Sequence, residues 1–248
     1  MSLPSNLFGK VARLLGTPGA LAAAFSWKPF SITAYKLVRN LKAFGLIPEL
    51  VIDVGANEGQ FSRAVRESYG GDVAILGFEP LDAAYSRLQS NFSGDSMAVF
   101  RRCAIGAENG TSEINLNTFS QSSSFMRLGE NHLSAFPNAR EIGRRAVEMV
   151  RLDDALKDVK WRSPSLLKID VQGYESKVLE GASSTLDQVD HVLVEIGLIP
   201  LYTDEPTYSE INDQLQRAGL EFVASVATLW DDKKGIAIQM DALFRRRS

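Results

Sequence analysis

The chain has 248 residues, 45% hydrophobic and 23% charged, with a formal net charge of -3. That is enough apolar content for one large core, without the basic excess of a general nucleic-acid binder. Cys103 is the only cysteine, which excludes an intrachain disulfide and a cysteine-based metal cluster and fits a reducing cytoplasm.

The first acidic residue is Glu49; Lys10, Arg13, Lys28, Lys36, Arg39 and Lys42 all precede it, so residues 1–48 read as a basic segment apart from 49–248. The apolar run from Leu14 to Phe25 is broken by Gly16, Pro18 and Gly19 and is too short to span a bilayer. Basic residues before it and small ones after give it the look of a secretory signal. The cytoplasmic reading is preferred, because the cofactor inferred below is made and used there. Leu37, Val38, Leu41 and Phe44 fall on one helical face, with Lys36, Arg39 and Lys42 on the other. Such a helix either covers the sheet or cofactor pocket as a lid, or rests with Trp27 and Phe30 on an anionic membrane at its inner face.

From residue 50 onward, β-branched runs alternate with amphipathic stretches, the rhythm of a parallel sheet with helices on both faces. Strands are expected at Leu50–Val54, Val73–Phe78 and Met97–Cys103. Helices carrying Phe61 to Tyr69 and Leu81 to Phe92 lie between them. Ser112–Thr118 reads as a short extra strand, and the polar, serine-rich stretch at about 119–146 as an insertion. Regular structure resumes with Val147–Leu152 and the strand Ser165–Asp170. A helix displaying Tyr174, Val178, Leu179, Ala182 and Leu186 follows, then the strand Val189–Ile196. Thr207 and Glu210 are spaced as a capping box for a helix closed by Gly219. Glu221–Ala227 and Ile236–Phe244 have no helical pattern between them and form an antiparallel hairpin. The order is that of a Rossmann-like class I methyltransferase: an α/β fold with a seven-stranded, mostly parallel sheet.

Ligands of open α/β sheets bind beyond the carboxyl ends of the strands, where VIDVGANEGQ forms a strand-to-helix turn. Gly55 and Gly59 let the backbone bend and a ligand lie against it. Asp53 is placed to hold the ammonium of a methionine moiety, and Glu79 to accept both hydroxyls of a ribose. A dinucleotide-binding oxidoreductase uses the same devices but requires glycine where this chain has Asn57 and Gln60, so S-adenosylmethionine, which has no phosphate, fits better. Cys103, Ala104, Ile105 and Gly106 sit where an adenine finds an apolar wall.

At this point the sequence resembles the FkbM family of S-adenosylmethionine-dependent methyltransferases. The resemblance rests on DVGANEGQF at Asp53–Phe61, FEP at Phe78–Pro80, AIG at Ala104–Gly106 and the serines Ser122, Ser123 and Ser124. It continues through RLDD at Arg151–Asp154, LLKIDVQGYE at Leu166–Glu175 and VLVEI at Val192–Ile196. It implies a cofactor site of Asp53, Gly55, Ala56, Asn57, Gly59, Phe61, Glu79, Pro80, Ala104, Ile105 and Asp170. It also implies transfer to a hydroxyl of a sugar, glycan, glycolipid or polyketide; the net charge of -3 separately argues against a nucleic-acid partner.

Methyl transfer is an in-line displacement, aided by a base that takes the acceptor's proton. Asp170 and Glu195, at the same rim of the sheet, are the leading candidates. They act either as base and orienting partner or as joint ligands of a divalent cation, with Gln172 or Glu175 as a further oxygen donor. For Asp170 the plain alternative is a helix N-cap, and for Glu175 a carboxylate favouring a helix dipole. His132 in the insertion is a third candidate base. Ser122, Ser123, Ser124, Arg127, Gln172, Tyr174 and Glu175 are the candidate contacts to a polyhydroxylated substrate. A non-catalytic binding module built on the same fold is the remaining alternative.

Overall fold

The computed structural model describes residues 16–26, 28–118, 123–129, 131, 138–231 and 234–247. A seven-stranded sheet runs in the order β3-β2-β1-β7-β8-β10-β9. Its strands are β1 (Leu50–Val54), β2 (Ala74–Phe78), β3 (Ala98–Arg101), β7 (Ser165–Ile169), β8 (His191–Gly197), β9 (Leu220–Asp231) and β10 (Ile236–Arg246). The first five in spatial order are mutually parallel, whereas β10 runs antiparallel to both β8 and β9. The expected class of fold and its terminal hairpin are both present.

Two strands explain the sheet's centre: β1 and β7 are buried at every position, as strands covered on both faces must be. Alternate residues feed two cores. Ile52, Phe78, Ile169 and Val194 face one layer, which includes Val178 and Leu179 of α6 (Glu175–Glu180) and Ile211 and Leu215 of α8 (Tyr208–Arg217). Val51, Ile75, Leu166, Leu193 and Leu243 face the other, against α2 (Ile32–Ala43) and α3 (Gln60–Tyr69). The capping box at α8 is formed: Thr207 Oγ1 accepts from Glu210 N, and Thr207 N donates 2.8 Å to the Glu210 carboxylate. The helices α1 (Ala20–Ser26) and α4 (Asp82–Asn91) complete this part of the fold.

Three sequence expectations are corrected. A second sheet exists, three-stranded in the order β4-β6-β5, from β4 (Ala104–Ile105), β5 (Gly110–Asn117) and β6 (Glu141–Val150). Residues 141–146, read as insertion, are therefore strand; they are exposed throughout, so no buried face imposes alternation on the sequence. The stretch Met97–Cys103 ends its ladder at Arg101, and the chain then crosses to the second sheet. The helix expected over Tyr174–Leu186 is two short ones, α6 and α7 (Ser183–Leu186), divided at Gly181, which packs so tightly on Gly106 O that a Cβ there would approach to 2.0 Å. A one-turn helix, α5 (Leu152–Ala155), follows β6.

Among the described residues, no helix is long and apolar enough to cross a membrane. The amphipathic face of α2 is spent on the sheet: Leu37, Val38 and Leu41 are buried there, and Asn40 Nδ2 donates 2.8 Å to Val226 O of β9. Of the membrane-contact reading, Trp27 lies outside the described residues, and this face of α2 is already covered by protein.

Candidate active site

A cavity of about 380 Å³ opens beyond the carboxyl ends of β1, β2, β7 and β8, and one side of it is walled by Ser31, Thr33, Ala34 and Leu37 at the start of α2. At its first end the loop after β1 turns through Gly55 (φ 83°) and Asn57 (φ 49°). A Cβ on Gly55 would lie 1.9 Å from Asp170 O, so only glycine lets the two strand-end loops meet. Gly55 N and Ala56 N donate to Phe78 O, Gly59 N to Ala56 O, and Asn57 N to Glu79 Oε2 at 3.0 Å. These N–H groups are spent within the protein, so the loop offers none of them as a pyrophosphate cradle.

Glu79 is buried and also accepts from Leu81 N at 2.8 Å. Burial pushes its carboxyl up to about 7 against those two backbone donors. Each of its oxygens keeps a lone pair for a further donor. Asn57 Oδ1 is buried on the cavity wall without a protein partner, the kind of orphaned polar atom that a ligand satisfies. Cys103, Ala104, Ile105 and Phe78 give an apolar lining opposite, and burial pushes the Cys103 thiol up to about 11, keeping it neutral. Pro80 and Phe61 also line this end. Asp53 does not. It is fully buried behind the wall, where Ser62 Oγ donates 2.7 Å to its Oδ2 and Lys168 Nζ stands 3.4 Å from its Oδ1.

The second end is ordered around Gln172. Its Nε2 donates to Asp170 Oδ1 at 2.8 Å and to Glu195 Oε2 at 2.7 Å, and its Oε1 accepts from Tyr202 OH at 2.7 Å. Ser124 Oγ donates to its backbone carbonyl at 2.5 Å, and its φ is +59°. A non-glycine residue in that region is held by its surroundings, here by four hydrogen bonds. Asp170 is not an N-cap; α6 begins at Glu175, after Tyr174.

Lys168 Nζ is 3.2 Å from Asp170 Oδ2, so both oxygens of Asp170 are engaged. Although burial opposes it, the Lys168 charge and the Gln172 bond hold Asp170 below the usual carboxylate range. Glu195 goes the other way: burial, then the charges of Asp170 and Asp241, push it well above that range. Asp241 pairs with Glu195 across the β8–β10 ladder, and burial followed by the Asp170 charge raises it to about 7. The two strand-end carboxylates are thus shifted in opposite directions, Asp170 toward the ionised form and Glu195 toward the protonated one.

The remaining sequence candidates fall differently. Ser123 lines the cavity, its Oγ accepting from Asn117 N, while Ser124 is buried as the Gln172 clamp. Tyr174 packs against Phe125 with ring centres 4.8 Å apart and the rings tilted by 40°, and Arg127 is exposed; neither lines the cavity. Glu175 turns under the loop, accepting from Val171 N and Gly173 N. Ser122 and His132 lie outside the described residues. The residues do not fit a cation shared by Asp170 and Glu195: the Gln172 amide nitrogen bonds both carboxylates, and the Gln172 Oε1 and Glu175 Oε1 oxygens suggested as further ligands already accept hydrogen bonds. Among the described residues, no three His, Cys, Asp or Glu side chains gather as metal ligands. Sequence reasoning missed Lys168 and Asp241; the available signal was a charged residue inside an otherwise apolar strand, LLKI and MDALF.

The profile described as the Methyltransferase FkbM domain matches residues 53–222. The 2-O-methyltransferase NoeI of Sinorhizobium fredii is 29% identical over 173 residues, 67% of this chain and 70% of that protein. Methyltransferase 1 of Beauveria bassiana is 28% identical over 160 residues, 59% of this chain and 64% of that one, so the chain spans less than two thirds of it. A crystallised FkbM methyltransferase from Methylobacillus flagellatus superposes with a TM-score of 0.49 at 12% identity, over 80% of this chain and 43% of that one.

Proposed function

The chain belongs to the FkbM methyltransferase family, and on that premise we propose that it takes a methyl group from S-adenosylmethionine and places it on a hydroxyl of a sugar, glycan, glycolipid or related natural product. The observation that carries this reading is a single cavity with two chemically distinct ends. One pairs Glu79 and the orphaned Asn57 Oδ1 with an apolar wall; the other gathers Asp170, Gln172, Glu195 and Asp241. The likeness to a protein named as a 2-O-methyltransferase supports oxygen as the atom methylated.

The first end suits the cofactor. Glu79 has lone pairs for two ribose hydroxyls, Asn57 Oδ1 an unused acceptor site, and Cys103, Ala104 and Ile105 a surface for the adenine. When bound, S-adenosylmethionine supplies an electrophilic methyl carbon. The chain's own task is then to align the acceptor oxygen with that carbon and to remove its proton. Glu195 takes the proton, because it has the higher affinity of the pair. Asp170, tied by Lys168 and Gln172, stays ionised and fixes Glu195 through the shared Gln172 amide.

Steady-state kinetics of Glu195→Gln test this assignment. The expected outcome is a fall in kcat of about 10²–10⁴-fold with cofactor affinity changed by less than about twofold. The wild-type rate should rise with pH above the ordinary carboxylate range, and the variant should lose that limb. A variant with wild-type kcat would remove Glu195 as the base. Binding of the cofactor without transfer to any hydroxyl would leave a non-catalytic module instead.

A further inference from the structure

Two side chains at the acceptor end come from β10, beyond the residues 53–222 that match the family: Gln239 and Asp241 both line the cavity. The β9–β10 ladder shifts register between Ala237 and Gln239 and again between Asp241 and Ala242. Such bulges re-aim side chains next to sites, and here they bracket these two residues. Asp241 stands beside Glu195 in the ladder, and its carboxylate forms no hydrogen bond or ion pair with the protein among the described residues. A half-buried carboxylate facing a cavity without a partner has its hydrogen-bonding capacity reserved for a ligand.

The charge balance narrows that ligand. Among the described cavity-lining residues the only basic side chain is Lys168, and it is already shared between Asp53 at 3.4 Å and Asp170 at 3.2 Å. A phosphate or carboxylate entering this end would find no free basic side chain to pair with, and a buried unpaired charge is strongly disfavoured. A hydroxyl meets partners for both its roles: carboxylates that accept its proton, and the Gln239 amide, which donates and accepts.

We propose that Asp241 and Gln239 form the acceptor-selecting wall of this enzyme, holding a glycosidic ring by hydroxyls adjacent to the one methylated and excluding rings that carry a negative charge. This rests on the transfer reading above only for the identity of the methylated group. The selection itself is a binding property. The methylated species is on this account an unphosphorylated glycoside, so the class of reaction supplying it is glycosyl transfer, which replaces the nucleotide, rather than sugar activation.

The test is saturation-transfer NMR on the full chain saturated with S-adenosylhomocysteine. The probes are methyl glycosides of glucose, mannose and rhamnose, with glucose 1-phosphate and mannose 1-phosphate as anionic counterparts. Methyl transfer to the same probes from labelled cofactor is measured in parallel. Expected is binding of at least one methyl glycoside at least tenfold tighter than its phosphate, on the scale that uncompensated charge imposes. Asp241→Lys should narrow or reverse that ratio about tenfold, and Gln239→Ala should weaken the glycoside, with the melting temperature of each variant confirming that it folds. Equal binding of neutral and anionic probes, preference for the phosphate, binding of no glycoside, or a ratio unchanged in folded Asp241→Lys and Gln239→Ala would each overturn the proposal. Selective binding without methyl transfer would leave the wall intact and remove the transfer reading alone.

Discussion

Lys168 decides the electrostatics of the site from a position the cavity barely exposes. Its strand β7 is buried at every residue, and its ammonium is held between Asp53 and Asp170 and lies 5.4 Å from the Phe61 ring centre. Burial opposes its charge, but the two carboxylates more than offset this and raise its pKa. Removing it leaves Asp53 buried with only the Ser62 hydroxyl as partner. Lys168→Met is therefore expected to cost about 3–5 kcal/mol of stability, measured by urea unfolding, because the loss of one partner strands the other charge. Adding Asp53→Asn should restore part of that loss; a double variant no better than the single would show that Asp53 is not the stranded group. Gly55, Asn57 and Glu79 were legible in the sequence, because a turn, a close approach and a strand-end carboxylate leave local marks. The roles of Lys168 and Asp241 were not, since each depends on cross-strand partners, Asp53 through β1–β7 and Glu195 through β8–β10, that spacing along one segment does not reveal.

At the scale of elements, the segment from Asp170 to Tyr174 after β7 is the counterpart of the loop after β1, and Glu175 holds its shape. One carboxylate oxygen accepts from Val171 N at 3.0 Å and from Gly173 N at 3.2 Å. Burial raises its pKa to about 8. The folded state therefore retains a proton that the unfolded chain releases near the ordinary value for glutamate. That contribution to stability is complete below the unfolded pKa and is lost as pH rises through about 8. Thermal unfolding should show a melting temperature that falls from about pH 5 to about pH 8 and levels off above, and Glu175→Gln, whose amide oxygen accepts the same two bonds, should fall less steeply over that range. Parallel slopes in the two proteins would place the titrating group elsewhere. Elements with a buried face, such as α3 and α8, were readable from apolar periodicity. The exposed half of β6 was not, and neither was the close approach of Gly181 to Gly106 on a distant loop, at the point where the expected helix divides.

Across the whole molecule, the start of α2 supplies one wall of the cavity at the carboxyl ends of the central strands. Ser31 caps α2, its Oγ accepting from Ala34 N at 3.3 Å, and also lines the cavity with Thr33, Ala34 and Leu37. Further along the helix Val38 and Leu41 are 0% exposed against a layer that includes Val51, Val226 and Leu243. Each such side chain contributes about 1.5–3 kcal/mol by burial. The sum over Leu37, Val38 and Leu41 is comparable with the whole margin of a typical domain. A chain starting at residue 49 is therefore expected to lose cooperative unfolding and S-adenosylmethionine binding in plain buffer, with no membrane present. Leu41→Ala in the full chain should cost about 2–5 kcal/mol by the same measurement. Thr33→Trp, which leaves the packed face untouched, should lower turnover without a matching loss of stability. If the shortened chain instead keeps its melting temperature and its cofactor affinity, the segment is dispensable to the fold. Its basic residues, with the exposed Leu21 and Phe25 of α1, would then be free to serve an anionic membrane surface.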